Sequence, residues 1–255
     1  LTTSVMADVV SEYAQRSDAT VIAVDRLDLD MRSRQFRLRG SRPETAYLQY
    51  TSGSTRSPAG VMVSYRNLSA NFEQIMADFF PEYGKVAPEG TTAVSWLPFY
   101  HDMGLMLGVC APILGGWRTM VTTPLAFLAR PARWVQLLAS SPNALTAAPN
   151  FAFELAAART TDDDMAGLDL SGVVGLISGA ERVHDATLRR FTRRFAKHGL
   201  PERALKPCYG LAEATLYVAT REPGDTPAVV NFELDALAAG RAVTCGPDEG
   251  AALVG

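Results

Sequence analysis

Cysteine is scarce in these 255 residues: Cys110, Cys208 and Cys245 are the whole complement. An odd, widely spaced set fits neither a disulfide framework nor a thiolate metal site, so reduced, unpaired thiols are expected. A basic excess is also missing. Lys and Arg number 24 against 27 Asp and Glu, a formal charge of −3, which argues against a protein that coats nucleic acid. The longest apolar stretch, around residues 104–117, is shorter than the roughly 20 residues that a membrane-spanning helix needs. The N-terminus has neither the basic segment nor the apolar core of a signal peptide, so a cytoplasmic location is expected.

Several catalytic signatures are absent as well. The sequence holds no His-Glu-x-x-His, no Gly-x-Ser-x-Gly elbow and no Gly-x-Gly-x-x-Gly fingerprint, which removes zinc proteases, the usual α/β hydrolases and ordinary dinucleotide enzymes. The chain opens on Leu1 instead of Met, and stops at Gly255 just after the apolar run Ala251–Val254. Both ends read as interrupted.

What is present is a rhythm. Apolar runs suited to strands fall at Thr20–Val24, Ala46–Tyr50, Thr92–Leu97, Thr119–Thr122, Ala144–Ala147, Val173–Ser178 and Ala204–Pro207. Helical patterns alternate with them at Ser4–Arg16, Tyr65–Phe80, Asp102–Leu114, Pro131–Ser140, Asn150–Arg159 and His184–His198. Such alternation predicts an α/β fold with mostly parallel strands flanked by helices. In the last helix Leu188, Phe191 and Phe195 form an apolar face and Arg189, Arg190, Arg193 and Arg194 a solvated one. Residues 221–245 break the rhythm, with Pro223-Gly224-Asp225-Thr226-Pro227 ahead of a short strand pattern at Val229–Phe232.

Four loops carry residues suited to chemistry. Thr51-Ser52-Gly53-Ser54-Thr55 follows a strand pattern, and hydroxyls beside a glycine let a loop aim backbone N–H and side-chain O–H groups at one anion. It is no Walker loop, since no Lys follows Gly60, and an ordinary connection fits the same residues. Trp96-Leu97-Pro98-Phe99-Tyr100-His101-Asp102-Met103-Gly104 places His101 at the end of a strand, with Asp102 suited to cap the next helix. His101 reads equally as a ligand-facing side chain and as a buried histidine with one partner. Ser178-Gly179-Ala180-Glu181 and Tyr209-Gly210-Leu211-Ala212-Glu213 end two further strands, and in a parallel sheet such loops share one edge. An aromatic face for a base and a carboxylate for Mg²⁺ suit a nucleoside triphosphate, while each loop alone reads as a routine turn. The acidic run Asp162–Asp164 reads as a helix boundary.

Taken in order, these four motifs resemble those of the adenylate-forming enzymes, and more narrowly the long-chain fatty acyl-AMP ligases of mycobacteria. The resemblance covers nearly the whole chain and implies part of the large N-terminal adenylation domain. It implies activation of a fatty acid with ATP and Mg²⁺ to an acyl-adenylate, then transfer to an acyl carrier protein or polyketide synthase. By the same resemblance Thr51, Ser52, Gly53, Ser54 and Thr55 hold the β- and γ-phosphates, and Ser178, Gly179, Ala180, Glu181, Tyr209, Gly210 and Leu211 form the adenine pocket. Glu213 is the metal-binding carboxylate and His101 the contact to the acyl carboxylate. Arg56, Ala59 and Ala212 stand where many relatives carry Gly, Lys and Thr, a pattern of the acyl-AMP ligase branch. Residues 221–245 match the place of a branch-specific insertion thought to restrain the C-terminal domain. That domain and its catalytic Lys match nothing in this chain, so the 255 residues alone are expected to be inactive. An acyl-CoA synthetase and a non-catalytic nucleotide-binding or carrier-docking module are the alternatives.

Overall fold

The computed structural model describes residues 2–15, 20–28, 43–51, 59–221, 229–246 and 251–254. They divide into two units, Leu1–Arg42 and Pro43–Gly255. In the first, a 3₁₀ turn Ser4–Met6 leads into α1 (Ala7–Ala14), and Ser4 N–H and Oγ–H both donate to Asp25, at 2.7 and 2.5 Å. The strand expected at Thr20–Val24 does not form. Only Ala23 pairs, with Thr2, before Val24–Arg26 curls into a 3₁₀ turn beside the Asp25 carboxylate.

The second unit opens with an antiparallel hairpin, β1 (Thr45–Thr51) and β2 (Ala59–Ser64). Helix α2 (Tyr65–Phe79) follows at once because Ser64 and Asn67 cap each other reciprocally: Asn67 N–H donates to Ser64 Oγ, and Ser64 N–H to Asn67 Oδ1, both at 3.1 Å. Then come β3 (Thr92–Ser95), α3 (Asp102–Leu105), a π-helical turn Met106–Cys110 and α4 (Ala111–Gly115). The single helix expected over Asp102–Leu114 is therefore interrupted. Next are β4 (Arg118–Val121), α5 (Pro124–Ala129), α6 (Ala132–Ala139), β5 (Ala144–Ala148), α7 (Asn150–Arg159), β6 (Val173–Ser178) and α8 (Asp185–Phe195). The chain continues through β7 (Leu205–Gly210), β8 (Tyr217–Thr220), β9 (Val229–Phe232), α9 (Leu234–Ala238) and β10 (Ala251–Val254).

Six strands form one sheet in the order β4-β3-β5-β6-β7-β8, parallel throughout except for β8. Alternation along β5 decides what each face meets. Thr146 faces one layer, where its Oγ accepts from Trp134 Nε1 of α6 at 3.0 Å and donates to the Val94 carbonyl at 2.7 Å. On that side the rings of Trp134, Phe153 and Phe191 interlock edge-on or tilted, with centroids 5.1–6.2 Å apart. Leu145 and Ala147 face the other layer, a cavity closed by α2 and the α3–α4 segment. Strands β9 and β10 pair antiparallel as a separate two-stranded sheet, which is where the alternation in the sequence breaks down.

Among the described residues no helix is long and apolar enough to cross a membrane. Cys110 and Cys208 are both free thiols, and burial pushes that of Cys208 up to about 12.

Candidate active site

Parallel strands β3, β6 and β7 end on one edge, and the loops leaving them meet there. The loop after β3 is fixed from two directions. Gln49 of β1, itself buried, donates its side-chain N–H to the Tyr100 carbonyl at 2.8 Å, and His101 N–H donates to the Pro98 carbonyl at 3.1 Å. Gly104 is required: a Cβ there would lie 2.2 Å from the Pro98 carbonyl oxygen. The sharp fold-back sets His101 as the N-cap of α3, half-exposed at the edge of the sheet.

His101 and Asp102 form a pair, with Nδ1 2.7 Å from Asp102 Oδ1. Met103 N–H lies 2.7 Å from Asp102 Oδ1 and 3.3 Å from His101 Nδ1. A 2.7 Å approach between nitrogen and carboxylate requires a proton on Nδ1, which leaves Nε2 as the nitrogen available to a ligand. The Asp102 hydrogen bond raises the imidazole pKa above its ordinary value; partial burial opposes this without cancelling it.

Ser178, at the end of β6, is fully buried, and its Oγ has no hydrogen-bond partner among the described residues. Gly179 packs under β7, since a Cβ would come within 2.9 Å of Cys208 Sγ. Ala180 takes a left-handed conformation, φ +65°, and turns the chain outward. Glu181 accepts from Phe151 N–H at 2.6 Å, so its carboxylate caps the first turn of α7. Tyr209 presents a largely exposed ring near the end of β7. Gly210 admits the close return of the chain, with the Leu216 carbonyl 2.0 Å from where a Cβ would stand, and Leu211 N–H donates to that carbonyl at 2.8 Å. Between them a short 3₁₀ turn, Ala212–Ala214, holds Glu213 exposed, and Thr215 sits at φ +73°, ψ −56°, a strained conformation for a β-branched residue.

Ala180, Tyr209 and Gly210 thus share one cavity with Asp102 and Met103, next to His101. Glu213 lines an adjoining hollow with Asn67, Asn71 and Gln74 of α2. Thr51 ends β1; Ser52, Gly53, Ser54 and Thr55 lie outside the described residues. Gln49 and Asn71, which bear on these groups, stand in no motif of the sequence. A lone amide inside a strand or helix leaves no local pattern to detect.

The chemistry of the donors fits the nucleotide and ion the motifs imply. Among the described residues there is no cluster of three or more metal-ligating side chains, whereas Glu213 offers an exposed carboxylate. Mg²⁺ is commonly held in that way, by one or two carboxylates together with substrate phosphates. Tyr209 offers a flat aromatic face at the same edge, suited to stacking on a base.

A family model described as AMP-binding enzyme matches residues 5–243. The chain belongs to the AMP-binding enzyme family. Long-chain-fatty-acid–AMP ligase FadD28 of Mycobacterium tuberculosis (strain ATCC 25618 / H37Rv) is 54% identical to this AMP-binding chain over 247 residues, covering 96% of it and 43% of FadD28. FadD21 of the same strain, named as a fatty-acid–CoA ligase, is 56% identical over 258 residues, covering 100% of the chain and 44% of FadD21. Among solved structures, the fatty acyl-adenylate ligase from L. pneumophila in complex with acyl adenylate and pyrophosphate is similar, with a TM-score of 0.72 and 35% identity. That match covers 82% of this chain and 36% of the other. The AMP-binding chain spans less than half the length of the curated relatives it matches.

Proposed function

We propose that this chain is the central part of the large N-terminal domain of a long-chain fatty acyl-AMP ligase. In this reading ATP and a fatty acid react to an acyl-adenylate, and the acyl group then passes to the phosphopantetheine thiol of an acyl carrier protein or polyketide synthase. The observation that carries it is the meeting of the loops after β3, β6 and β7 around one apolar cavity, in a chain 54% identical to a long-chain-fatty-acid–AMP ligase. The cavity suits an alkyl chain, and the edge above it suits a nucleotide.

The chemistry follows from the residues. A fatty acid carboxylate oxygen bonds to the α-phosphorus of ATP while the bond to pyrophosphate breaks, so negative charge develops on the phosphoryl oxygens and the leaving group. His101, with its Nδ1 proton held on Asp102, turns Nε2 toward the acyl carboxylate, and in the protonated form donates to it. Thr51, Ser52, Gly53, Ser54 and Thr55 receive the β- and γ-phosphates through backbone and hydroxyl donors. Tyr209 stacks on the adenine, beside Ser178, Gly179, Ala180, Glu181, Gly210 and Leu211. Glu213 would hold Mg²⁺, which when bound neutralises phosphate charge. Positioning and electrostatics supply most of the rate in such a reaction.

Residues 221–245 are proposed as the branch-specific insertion that restrains the C-terminal domain, so that free coenzyme A is a poor acceptor. One relative, FadD21, is named as a fatty-acid–CoA ligase, which supports acyl-CoA synthesis as the second reading. Hydroxylamine trapping on the full-length gene product with fatty acids of graded length tests adenylation. Offering a phosphopantetheinylated carrier or coenzyme A then separates the two. Acyl transfer to the carrier alone is expected, and efficient thioester formation with coenzyme A would favour the synthetase.

A further inference from the structure

The cavity under the sheet has two ends. Met103, Ala180 and Tyr209 stand at one, on the carboxyl edge of the strands; Leu145, the second residue of β5, and Trp117, which immediately precedes β4, stand at the other. Register fixes this order. Arg118 pairs with Thr92, and Thr92 with Ala144, so Trp117 lies at the amino edge of the sheet. The length of the strands, about 3.3 Å per residue, separates it from the mouth.

Two glycines put the indole there. Helix α4 ends at Gly115; Gly116 takes φ +68°, a left-handed conformation that an L side chain rarely adopts, and Trp117 N–H donates to the Pro112 carbonyl at 2.9 Å. The turn lays the indole back across the helix end, where a Cβ on Gly115 would stand 2.5 Å from Trp117 Nε1. On its other side the ring meets Phe72 of α2, centroids 5.8 Å apart. Trp117 is half-buried, with one part lining the cavity and another facing outward.

We propose that Trp117 is the chain-length stop of the acyl site, an inference that rests on the reading of this cavity as the acyl pocket. A growing alkyl chain gains about fourfold in affinity per buried methylene. The gain ends where the chain meets the indole, because a packed wall yields only at the cost of displaced side chains.

The test is calorimetric binding of straight-chain acyl sulfamoyl adenosines of graded length to the full-length protein. Wild type should show affinity rising with length to a limit. Trp117→Ala should move the limit upward, so that a chain two carbons past it binds on the order of tenfold tighter than to wild type. Trp117→Phe, a milder change should the alanine variant fold poorly, should move it less, and Gly115→Ala should alter it by displacing the ring. A limit unchanged in both Trp117 variants overturns the proposal. Met103→Trp at the mouth separates this from failure of the underlying reading. If it abolishes binding at every length while the Trp117 limit stays fixed, the pocket holds the chain and its stop lies elsewhere. If it leaves all binding intact, the pocket is not the acyl site and the proposal falls with it.

Discussion

The side-chain amide of Asn71, midway along α2, satisfies both backbone polar groups of Tyr217. Tyr217 N–H donates to Asn71 Oδ1 at 3.0 Å, and Asn71 Nδ2–H donates to the Tyr217 carbonyl at 2.7 Å. Tyr217 also donates its hydroxyl to Asp78 on the same helix. Helix α2 therefore grips the first residue of β8, directly after the turn that carries Glu213. An amide that is only 3% exposed is holding the metal-binding loop of the proposed site in place.

Asn71→Ala would leave two buried backbone groups unpaired, a cost of about 2–4 kcal/mol. Asn71→Asp keeps the acceptor and loses the donor, so it should fall between. Urea unfolding of the full-length protein measures the loss, and the Mg²⁺ concentration for half-maximal adenylation should rise in parallel. A stability change under about 0.5 kcal/mol, the size expected at an unremarkable surface site, would count against the grip.

Gly210→Ala places a Cβ 2.0 Å from the Leu216 carbonyl oxygen, and backbone cannot swing aside as a side-chain tip can. A loss of about 3 kcal/mol is expected. Gly172→Ala is the comparison, since its nearest neighbour would be 4.0 Å away, and it should stay within about 1 kcal/mol. Thermal or urea unfolding of the two variants side by side checks the difference.

The His101–Asp102 pair makes stability depend on pH in a stated direction. The folded-state pKa of His101 is raised above the unfolded value of about 6.5. Its contribution is therefore complete below about pH 6.5 and is lost as pH climbs through the raised value. Wild type should lose more stability than His101→Gln between about pH 6 and 8.5, a window set around that ordinary value. Parallel profiles for the two proteins would mean that the pair is not formed in solution.

Glu213→Gln removes a charge from an exposed side chain, so folding should be unaffected. Mg²⁺-dependent acyl-adenylate formation should nevertheless fall on the order of 100-fold, the scale seen when one stabilising electrostatic group is removed. Circular dichroism controls for the fold. Full activity in the variant would remove Glu213 from the site.

Local pattern carried much of the architecture. Runs such as Val173–Ser178 are apolar because strands buried on both faces need no polar alternation, and the structure places β6 over the same residues. The four loop motifs were legible for a related reason, since Gly, Ser, Tyr and carboxylates at strand ends mark positions that helices and strands themselves do not demand. Pairing was not legible. Strand β8 and the hairpin partner β2 are recognisable only by what they pair with, and Ala23 forms one bridge where a strand was expected. Nor could the sequence show that Glu181 turns to cap α7 while Glu213 lines a hollow beside α2, because both follow a strand and a glycine and differ only in what the fold brings within reach. Sequence alone therefore determined the alternating α/β order and marked the loops proposed to bear the chemistry, through periodicity and local backbone demands. The tertiary structure alone decided the grip of Asn71 on Tyr217 and the Trp117 wall, because each joins residues whose meeting is set by packing across the sheet.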